Sequence, residues 1–260
     1  MTQRLHSNAI DNSRSAATPV LFLHGFGGVG AQWWGLQTAV SFKAPTIAFD
    51  LPGHGKSVDF PDAGPPKIAA RAMLAEMDAY GISKAHLVGH SMGGAVSSLI
   101  GLMAPERVAS MTLLAPGGYG TEVNHPVLHD WAAAKEADAL RAVLSHFFGP
   151  DYEINQKMVD FQVELRAAPG AVAKLVEIAQ LLFAGGQQGK LPVDDLLAKG
   201  IPTSVVWGDL DAIVPVHQSE QLNGKVDLHI VKGIGHSPLE EAPDLVRELV
   251  LSRVAAGEDA

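Results

Sequence analysis

Six short runs of mostly apolar residues recur along the chain, and each is followed by a turn that contains glycine. The runs span residues 20–23, 46–49, 85–88, 111–114, 204–207 and 228–231. Their apolar residues are consecutive and do not alternate with polar ones, which is typical of strands that are covered on both faces. The pattern therefore predicts a mostly parallel β-sheet buried between layers of helices.

The segments between these runs have the periodicity of helices. Apolar side chains recur at helical spacing in three sets: Ala69, Met73, Met77 and Tyr80; Val96, Leu99, Ile100 and Met103; and Leu245, Val246, Leu249 and Val250. Alternating strands and helices predict an α/β fold, a doubly wound sheet with right-handed crossover connections. The first 18 residues are weakly patterned and are expected to form at most one edge strand.

One long segment interrupts this alternation, because no strand-like run occurs between about residues 117 and 200. Three helix-like pieces fill it, at about 127–148, 154–168 and 171–184, with glycine and proline between them. Insertions at the carboxyl ends of strands lie over the crevice where α/β proteins bind ligands. We therefore predict a helical cap at 117–200 on a core formed by 1–116 and 201–260.

The composition restricts the partners and the chemistry of the chain. The formal net charge of -9 argues against a nucleic-acid partner, because phosphate binding needs a basic surface. The chain has no cysteine, which removes disulfides and thiolate catalysis. No segment has the roughly 20 apolar residues of a membrane span, and the polar N-terminus shows no signal peptide. We expect a cytoplasmic protein without a membrane partner, and a homodimer is compatible with the sequence.

The strongest chemical signal is the turn Gly89-His90-Ser91-Met92-Gly93, which lies between a predicted strand and a predicted helix. A serine at such a turn has a strained backbone that projects its hydroxyl outward, and the flanking glycines let strand and helix approach closely. The amino end of the following helix adds N–H groups and a partial positive charge beside the hydroxyl. These features predict that Ser91 is a nucleophile.

A nucleophilic serine needs a histidine as its base, and the chain has 11 histidines. His236 follows the last strand-like run and should lie at the same edge of the sheet as Ser91. His86 lies within a strand and is expected in the core, and the side chain of His90 is expected to point away from the site. His54 lies in a turn at the correct edge but precedes the serine in the chain. The sequence therefore favours His236.

The base needs a carboxylate that orients it, and two aspartates follow the run at 204–207. Asp209 continues the end of the strand and is expected to cap the loop, whereas Asp211 reaches further toward the site. We therefore favour Asp211, which gives the chain order Ser91, Asp211, His236.

Two backbone N–H groups are candidates for the oxyanion hole, the set of donors that binds the negative charge of a tetrahedral intermediate. They belong to Met92, after the nucleophile, and to Phe26, in the glycine-rich turn after the first apolar run. That turn lacks the glycine spacing of a dinucleotide-binding loop, so no cofactor is predicted. His125 and His129 are four residues apart but have no obvious third ligand, so no metal is predicted.

The chain resembles the α/β-hydrolase superfamily over nearly its whole length. The motifs that carry the resemblance are HGFGG at 24–28, DLPGHGKS at 50–57, GHSMGG at 89–94, GDLDAIVP at 208–215 and GIGHSPLEEAP at 233–243. The resemblance implies a Ser91 nucleophile, an Asp211 acid and a His236 base, in the chain order of that superfamily.

A narrower resemblance rests on residues 114–122 and 182–187, which are similar to the hydrolase-like domain of acetoin-dehydrogenase-associated E2 proteins and to free-standing esterases related to it. No lipoyl domain accompanies these motifs in the sequence, so an acyltransferase role in such a complex is not expected. Dehalogenases and epoxide hydrolases of this fold carry aspartate at the nucleophile position, where this chain has Ser91. Carbon–carbon bond hydrolases of this fold usually carry tryptophan after the histidine, where this chain has Ser237.

The function that we predict from the sequence is hydrolysis of small to medium apolar acyl esters, through an acyl-enzyme and without a cofactor. The partner would be a small-molecule ester. Three alternatives stay open: a carbon–carbon bond (diketone) hydrolase, a ligand sensor that keeps the triad, and an acyltransferase. Five aromatic residues of the predicted cap are candidates either for an acyl pocket or for packing between its helices: Trp131, Phe147, Phe148, Phe161 and Phe183.

Overall fold

A seven-stranded β-sheet forms the centre of the described part of the chain. The structure is a computed structural model that describes residues 3–13 and 17–258. The strands are β1 Ser7–Ile10, β2 Val20–Leu23, β3 Thr46–Phe49, β4 Ala85–His90, β5 Val108–Leu114, β6 Thr203–Gly208 and β7 Asp227–Val231. Their order in the sheet is β1-β3-β2-β4-β5-β6-β7. β1 pairs antiparallel with β3 and the remaining pairs are parallel, so the predicted mostly parallel sheet is confirmed.

Helices cover both faces of this sheet. The α-helices are α1 Trp34–Val40, α2 Pro66–Ala79, α3 Met92–Met103, α4 His125–Ala133, α5 Ala137–Leu144, α6 Gln156–Ala167, α7 Ala171–Leu182, α8 Val193–Leu197, α9 Pro238–Glu241 and α10 Pro243–Glu258. Val20 and Phe22 pack in one core cluster with residues of α1 and α10, whereas Leu21 and Leu23 pack in another with residues of α2 and α3. Within residues 3–13 and 17–258, no helix is long and apolar enough to cross a membrane.

The two core clusters explain why the strands could be read directly from the sequence. Successive side chains of β2 enter opposite clusters, so each residue of the strand is buried and apolar. The predicted runs at 20–23 and 46–49 coincide with β2 and β3, and the other runs lie within longer strands. The edge strand expected near the amino terminus is β1, which pairs residue by residue with β3.

Five helices, α4 to α8, lie between β5 and β6, and we call them the helical insert. The predicted helical piece at 127–148 is wrong as a single helix, because α4 ends at Ala133 and α5 begins at Ala137. Ala134 and Glu136 have extended backbone with ψ of 134° and 147°. On either side of the break the packing differs, since α4 packs mainly on α7 whereas α5 packs mainly on α6, and the two helices also contact each other. The pieces predicted at 154–168 and 171–184 correspond to α6 and α7, α8 was not predicted, and the boundaries 117–200 of a cap stay a prediction.

Candidate active site

Ser91 lies in a tight turn between β4 and α3. Its φ of 51° and ψ of -113° are a conformation that non-glycine residues rarely adopt. A side chain on Gly89 would place a Cβ 2.5 Å from the carbonyl oxygen of Gly93, and one on Gly93 would collide with the carbonyl group of Leu23. The glycines are needed because strand and helix are in direct contact here. The turn therefore holds the Ser91 hydroxyl at the carboxyl end of β4.

His236 and Asp211 form a buried pair at the same edge of the sheet. Nδ1 of His236 lies 2.7 Å from Oδ2 of Asp211, and the two residues are 1% and 8% exposed. The other carboxylate oxygen, Oδ1, accepts the N–H groups of Ile213 and Val214, each at 2.8 Å. Because Asp211 is acceptor-only, Nδ1 of His236 donates and Nε2 is left as the proton acceptor of the ring. The structure thus brings together the acid and the base that the sequence favours.

Asp209, the competing carboxylate, points elsewhere. It accepts the N–H group of Gly233 at 2.7 Å and pairs with the exposed ammonium of Lys232 at 3.1 Å. These contacts tie the start of the loop after β6 to the turn after β7, as expected for a residue that caps the loop. Asp209 is therefore separated from the site by its own partners.

The two candidate oxyanion donors belong to residues that flank Ser91 in one cavity. Met92 is the first residue of α3, where N–H groups have no partner within the helix. Within the described part of the chain, neither the Met92 nor the Phe26 N–H donates to a protein acceptor. The carbonyl oxygen of Phe26 accepts the indole N–H of Trp131 at 3.1 Å, so a residue of α4 fixes the turn that carries this donor.

The expectation that His90 points away from the site is wrong. Its Nε2 lies 2.7 Å from the carbonyl oxygen of His236, and the two rings are 5.0 Å apart. Burial lowers the pKa of His90 to about 3, so the ring is neutral and its Nε2–H donates to that carbonyl. His90 therefore holds the loop that carries His236 by this hydrogen bond. A histidine at the carboxyl end of a strand, directly before the Ser91 turn, is the signal by which it could have been found.

Two further buried histidines hold the turns around the site. His24 accepts the N–H of Leu51 at 2.9 Å through Nε2, while its Nδ1 lies 2.7 Å from the carbonyl oxygen of Gly25. Nδ1 of His54 lies 3.0 Å from the carbonyl oxygen of Pro52. Burial lowers the pKa of His24 to about 4 and that of His54 to about 3, so both rings are neutral. They link the loop of Phe26 to the turn after β3.

His125 and His129 pack against each other with ring centroids 6.1 Å apart. Among residues 3–13 and 17–258, no group of three or more histidine, cysteine, aspartate or glutamate side chains is placed to hold a metal ion. His86 lies in β4 and hydrogen-bonds the Ser110 hydroxyl at 2.7 Å, as expected for a core residue.

Ser91 lines two cavities, which we call the larger and the smaller cavity. The larger has a volume of about 250 Å³ and mostly apolar walls, including Phe26, Met92, Leu99, Leu128, Leu182 and Phe183. The smaller has a volume of about 100 Å³, and its lining includes Gln32, Trp131, Phe147, Gln162, His236 and Glu240. Of the five aromatic candidates in the insert, all except Phe161 line one of these cavities. Ser91 therefore borders both cavities.

Comparison with known proteins agrees with this architecture. The Alpha/beta hydrolase family matches residues 20–249. The chain is 32% identical, over 90% of its length, to 63% of a dihydrolipoyllysine-residue acetyltransferase component of an acetoin cleaving system from Pseudomonas putida. It therefore spans less than two thirds of that relative. It is also 29% identical, over 95% of its length, to 91% of a 2-hydroxy-6-oxo-6-phenylhexa-2,4-dienoate hydrolase from Burkholderia cepacia.

Among solved structures, a meta-cleavage product hydrolase from Pseudomonas fluorescens superposes with a TM-score of 0.85 at 22% identity, covering 97% of this chain and 94% of that one. At this identity the superposition shows a shared fold. The family match covers the whole sheet from β2 onward, the turn of Ser91 and the loops of Asp211 and His236. The chain belongs to the alpha/beta hydrolase family.

Proposed function

We propose that the protein is a serine hydrolase that cleaves carboxylic esters of small to medium apolar acids. The observation that carries the proposal is one juxtaposition. The Asp211 carboxylate lies 2.7 Å from the imidazole of His236, and that ring lines the smaller cavity together with the strained Ser91. A histidine held in one tautomer beside a serine at such a turn is the arrangement that activates an alcohol for attack.

The reaction proceeds through an acyl-enzyme. Ser91 Oγ attacks the ester carbonyl carbon while Nε2 of His236 takes the hydroxyl proton, and the N–H groups of Phe26 and Met92 donate to the oxyanion. The imidazolium then gives its proton to the leaving alkoxide oxygen as the C–O bond breaks. Water, deprotonated by His236, attacks the acyl carbon and releases the acid and the free serine. Asp211 holds the tautomer and stabilises the imidazolium throughout.

The walls of the larger cavity support an apolar acyl group as its occupant. Both oxyanion donors belong to residues that line this cavity, and Leu128, Leu182 and Phe183 of the insert complete its wall. An acyl chain held there would bring its carbonyl to Ser91 while packing on mostly apolar walls. In this proposal the helical insert, at residues 117–200, is a cap that selects the acyl chain.

A second candidate function is hydrolysis of a carbon–carbon bond in a vinylogous diketone. The similarity to the Burkholderia cepacia hydrolase over 95% of the chain favours it, and the same serine and histidine serve that chemistry. The Pseudomonas putida relative is named as an acetyltransferase component, which adds transfer to an acceptor other than water as an outcome to be tested.

One set of assays tests these functions together. Wild-type protein and Ser91→Ala are given p-nitrophenyl esters from acetate to palmitate, and 2-hydroxy-6-oxo-6-phenylhexa-2,4-dienoate in parallel. We expect many turnovers of the esters by the wild type, none by the variant, and slow or no cleavage of the dienoate.

Fast cleavage of the dienoate with slow ester turnover would replace the esterase by the carbon–carbon bond hydrolase. A single acylation event without further turnover would indicate a ligand sensor. Formation of a new ester or thioester when alcohol or thiol is added, in excess over free acid, would indicate an acyltransferase.

A further inference from the structure

Two adjacent glutamates at the end of α9 have different surroundings. The carboxylate of Glu241 accepts the N–H of Gly149 at 2.7 Å and that of Gly235 at 2.9 Å, so it ties the insert to the loop of the base. The carboxyl group of Glu240 has no such bond: within the described part of the chain it makes no hydrogen bond or ion pair with another residue. Glu240 lines the smaller cavity.

No other lining residue of the smaller cavity balances this carboxyl group. Among the described residues that line it there is no lysine or arginine, and Glu240 is the one acidic residue. His90 is neutral, and His236 faces the carboxylate of Asp211. Burial raises the pKa of Glu240 to about 7, and the neighbouring Glu241 adds to the increase. Above that pH a negative charge lines the cavity beside Ser91.

A buried cationic group of the insert, Arg166, is committed elsewhere. The guanidinium of Arg166 donates to Oε1 of Gln162 at 2.6 Å and to the carbonyl oxygen of Trp131 at 3.2 Å, and it stacks on the Trp131 ring at 4.1 Å. Gln162 and Trp131 lie between this charge and the smaller cavity, since both line it and Arg166 does not. The carboxylate of Glu240 is therefore available to a ligand.

We propose that Glu240 makes the smaller cavity a subsite for a compact cationic arm of the substrate, of the alkylammonium class, and that it disfavours an arm that carries a carboxylate. The inference rests on the proposed ester hydrolysis and names its substrate class: an apolar acid esterified to an amino alcohol. A carboxylate attracts a cation and repels an anion at close range, so a single carboxylate in the cavity discriminates both for cations and against anions.

The test uses butanoate esters of three alcohols at pH 8.5. Choline supplies a cationic arm, 3,3-dimethylbutanol a neutral arm of the same shape, and glycolate an anionic arm. For the wild type we expect kcat/KM on the choline ester to exceed that on the neutral ester about 10-fold, and the glycolate ester to be about 10-fold poorer than the neutral one. In Glu240→Gln both ratios should approach one.

Glu248→Gln is the matched control, because it makes the same chemical change on an exposed face of α10 and should keep the wild-type ratios. A wild-type ratio near one, or ratios that persist in Glu240→Gln, would overturn the assignment. The ratios compare substrates within one protein, so a general loss of activity does not imitate the expected result.

Binding separates a failure of this inference from a failure of the proposed reaction. Calorimetric titration of Ser91→Ala with choline, and with trimethylacetate as the anionic counterpart, needs no turnover. Choline should bind at least about 10-fold more tightly than trimethylacetate, and the added Glu240→Gln change should remove the difference. If no ester is hydrolysed but this difference is found, the reaction is wrong and the subsite stands. If esters are hydrolysed and the difference is missing, the subsite is wrong.

Discussion

The edge of the sheet and the helical insert build the site in different ways. Ser91, Asp211 and His236 lie on turns that follow β4, β6 and β7, where the backbone itself is fixed; the Ser91 N–H, for example, donates to the carbonyl of Leu114 at 2.9 Å. The insert contributes side chains that form cavity walls, such as Phe183. The proposed reacting groups are thus placed by the backbone, and the shape of the cavity is set by side-chain packing.

This difference has a consequence that can be measured. Changes at the sheet edge should reduce turnover of every substrate, because they remove groups that act on the carbonyl itself. Changes in the insert should alter which substrate is preferred, because they act on the walls. Trp131 is one exception, since its indole N–H crosses from α4 to the carbonyl of Phe26 and joins the two regions.

The largest effect is expected for Ser91→Ala. Removing the nucleophile should lower kcat on every ester by about 10,000-fold or more, since the remaining groups act as a unit with it. Turnover is measured with p-nitrophenyl butanoate, and thermal unfolding verifies that the variant is folded. A decrease of less than about 10-fold would mean that the edge of the sheet does not carry the reaction.

Asp211→Asn should lower kcat by about 10,000-fold, because an amide at this position favours the wrong tautomer of His236. Asp209→Asn is the matched control from the same loop, and it should keep activity within about 2-fold since its carboxylate contacts Lys232 and the Gly233 N–H instead. Equal losses in the two variants would show that the loop as a whole is sensitive and that Asp211 has no special role.

Acid should destabilise the edge of the sheet through its neutral histidines. Folding lowers the pKa of His24, His54 and His90 to about 4, 3 and 3, whereas the unfolded chain takes up these protons near 6.5. The free energy of unfolding therefore falls as pH decreases from about 6.5 toward 4, by up to about 2 kcal/mol for each ring at pH 5.

Urea unfolding at pH 7 and pH 5 measures this loss. Replacing His146, an exposed histidine of the insert, by glutamine should leave the pH dependence unchanged. A stability that does not change between these two pH values would show that the three rings are protonated or exposed in the folded protein.

Trp131→Phe should lower kcat about 10-fold and change KM by less than about 2-fold, because the indole N–H positions the turn of an oxyanion donor and does not contact the acyl chain. Trp34→Phe, at a residue 60% exposed, is the control and should have no effect. An increase in KM at constant kcat would instead assign Trp131 to the cavity wall alone.

The smallest effect is expected for Phe183→Ala, which enlarges the larger cavity. The ratio of kcat/KM on decanoate to that on butanoate should increase about 3-fold, since more apolar surface of the long chain is buried. Phe42→Ala, at a residue 62% exposed outside both cavities, should leave the ratio unchanged. A uniform decrease of kcat/KM for all chain lengths would show that Phe183 affects turnover in general and not the preference for chain length.

Most of the sheet could be predicted because β2 to β6 are covered on both faces, which makes each a nearly continuous apolar run. The three catalytic candidates could be predicted for a related reason: the carboxyl ends of parallel strands share one edge, so residues far apart in the chain are brought together there. The family match over residues 20–249 agrees with that architecture.

The parts of the fold and of the site that could not be predicted depend on contacts between residues far apart in the sequence. The residues around Ala134 favour a helix by composition, yet the backbone is extended there and α4 and α5 pack mainly on different helices. His90 and Glu240 are ordinary polar residues in the sequence, and only the folded chain shows that both line the smaller cavity. Which side chains line a cavity is determined by packing in three dimensions and not by their spacing along the chain.

The backbone N–H of His236 donates to the backbone carbonyl of Phe147 at 2.7 Å. This hydrogen bond has a consequence for protein engineering. Glu241 adds a second link between the same two segments through Gly149. If the insert were replaced by that of a relative to change specificity, these two hydrogen bonds to the loop of His236 would be lost. This would happen even if the exchanged segment ended far from the loops of Ser91, Asp211 and His236. A chimera that keeps residues 147–149 of this chain should retain its turnover, and one that exchanges them should lose it however well the new walls suit the substrate.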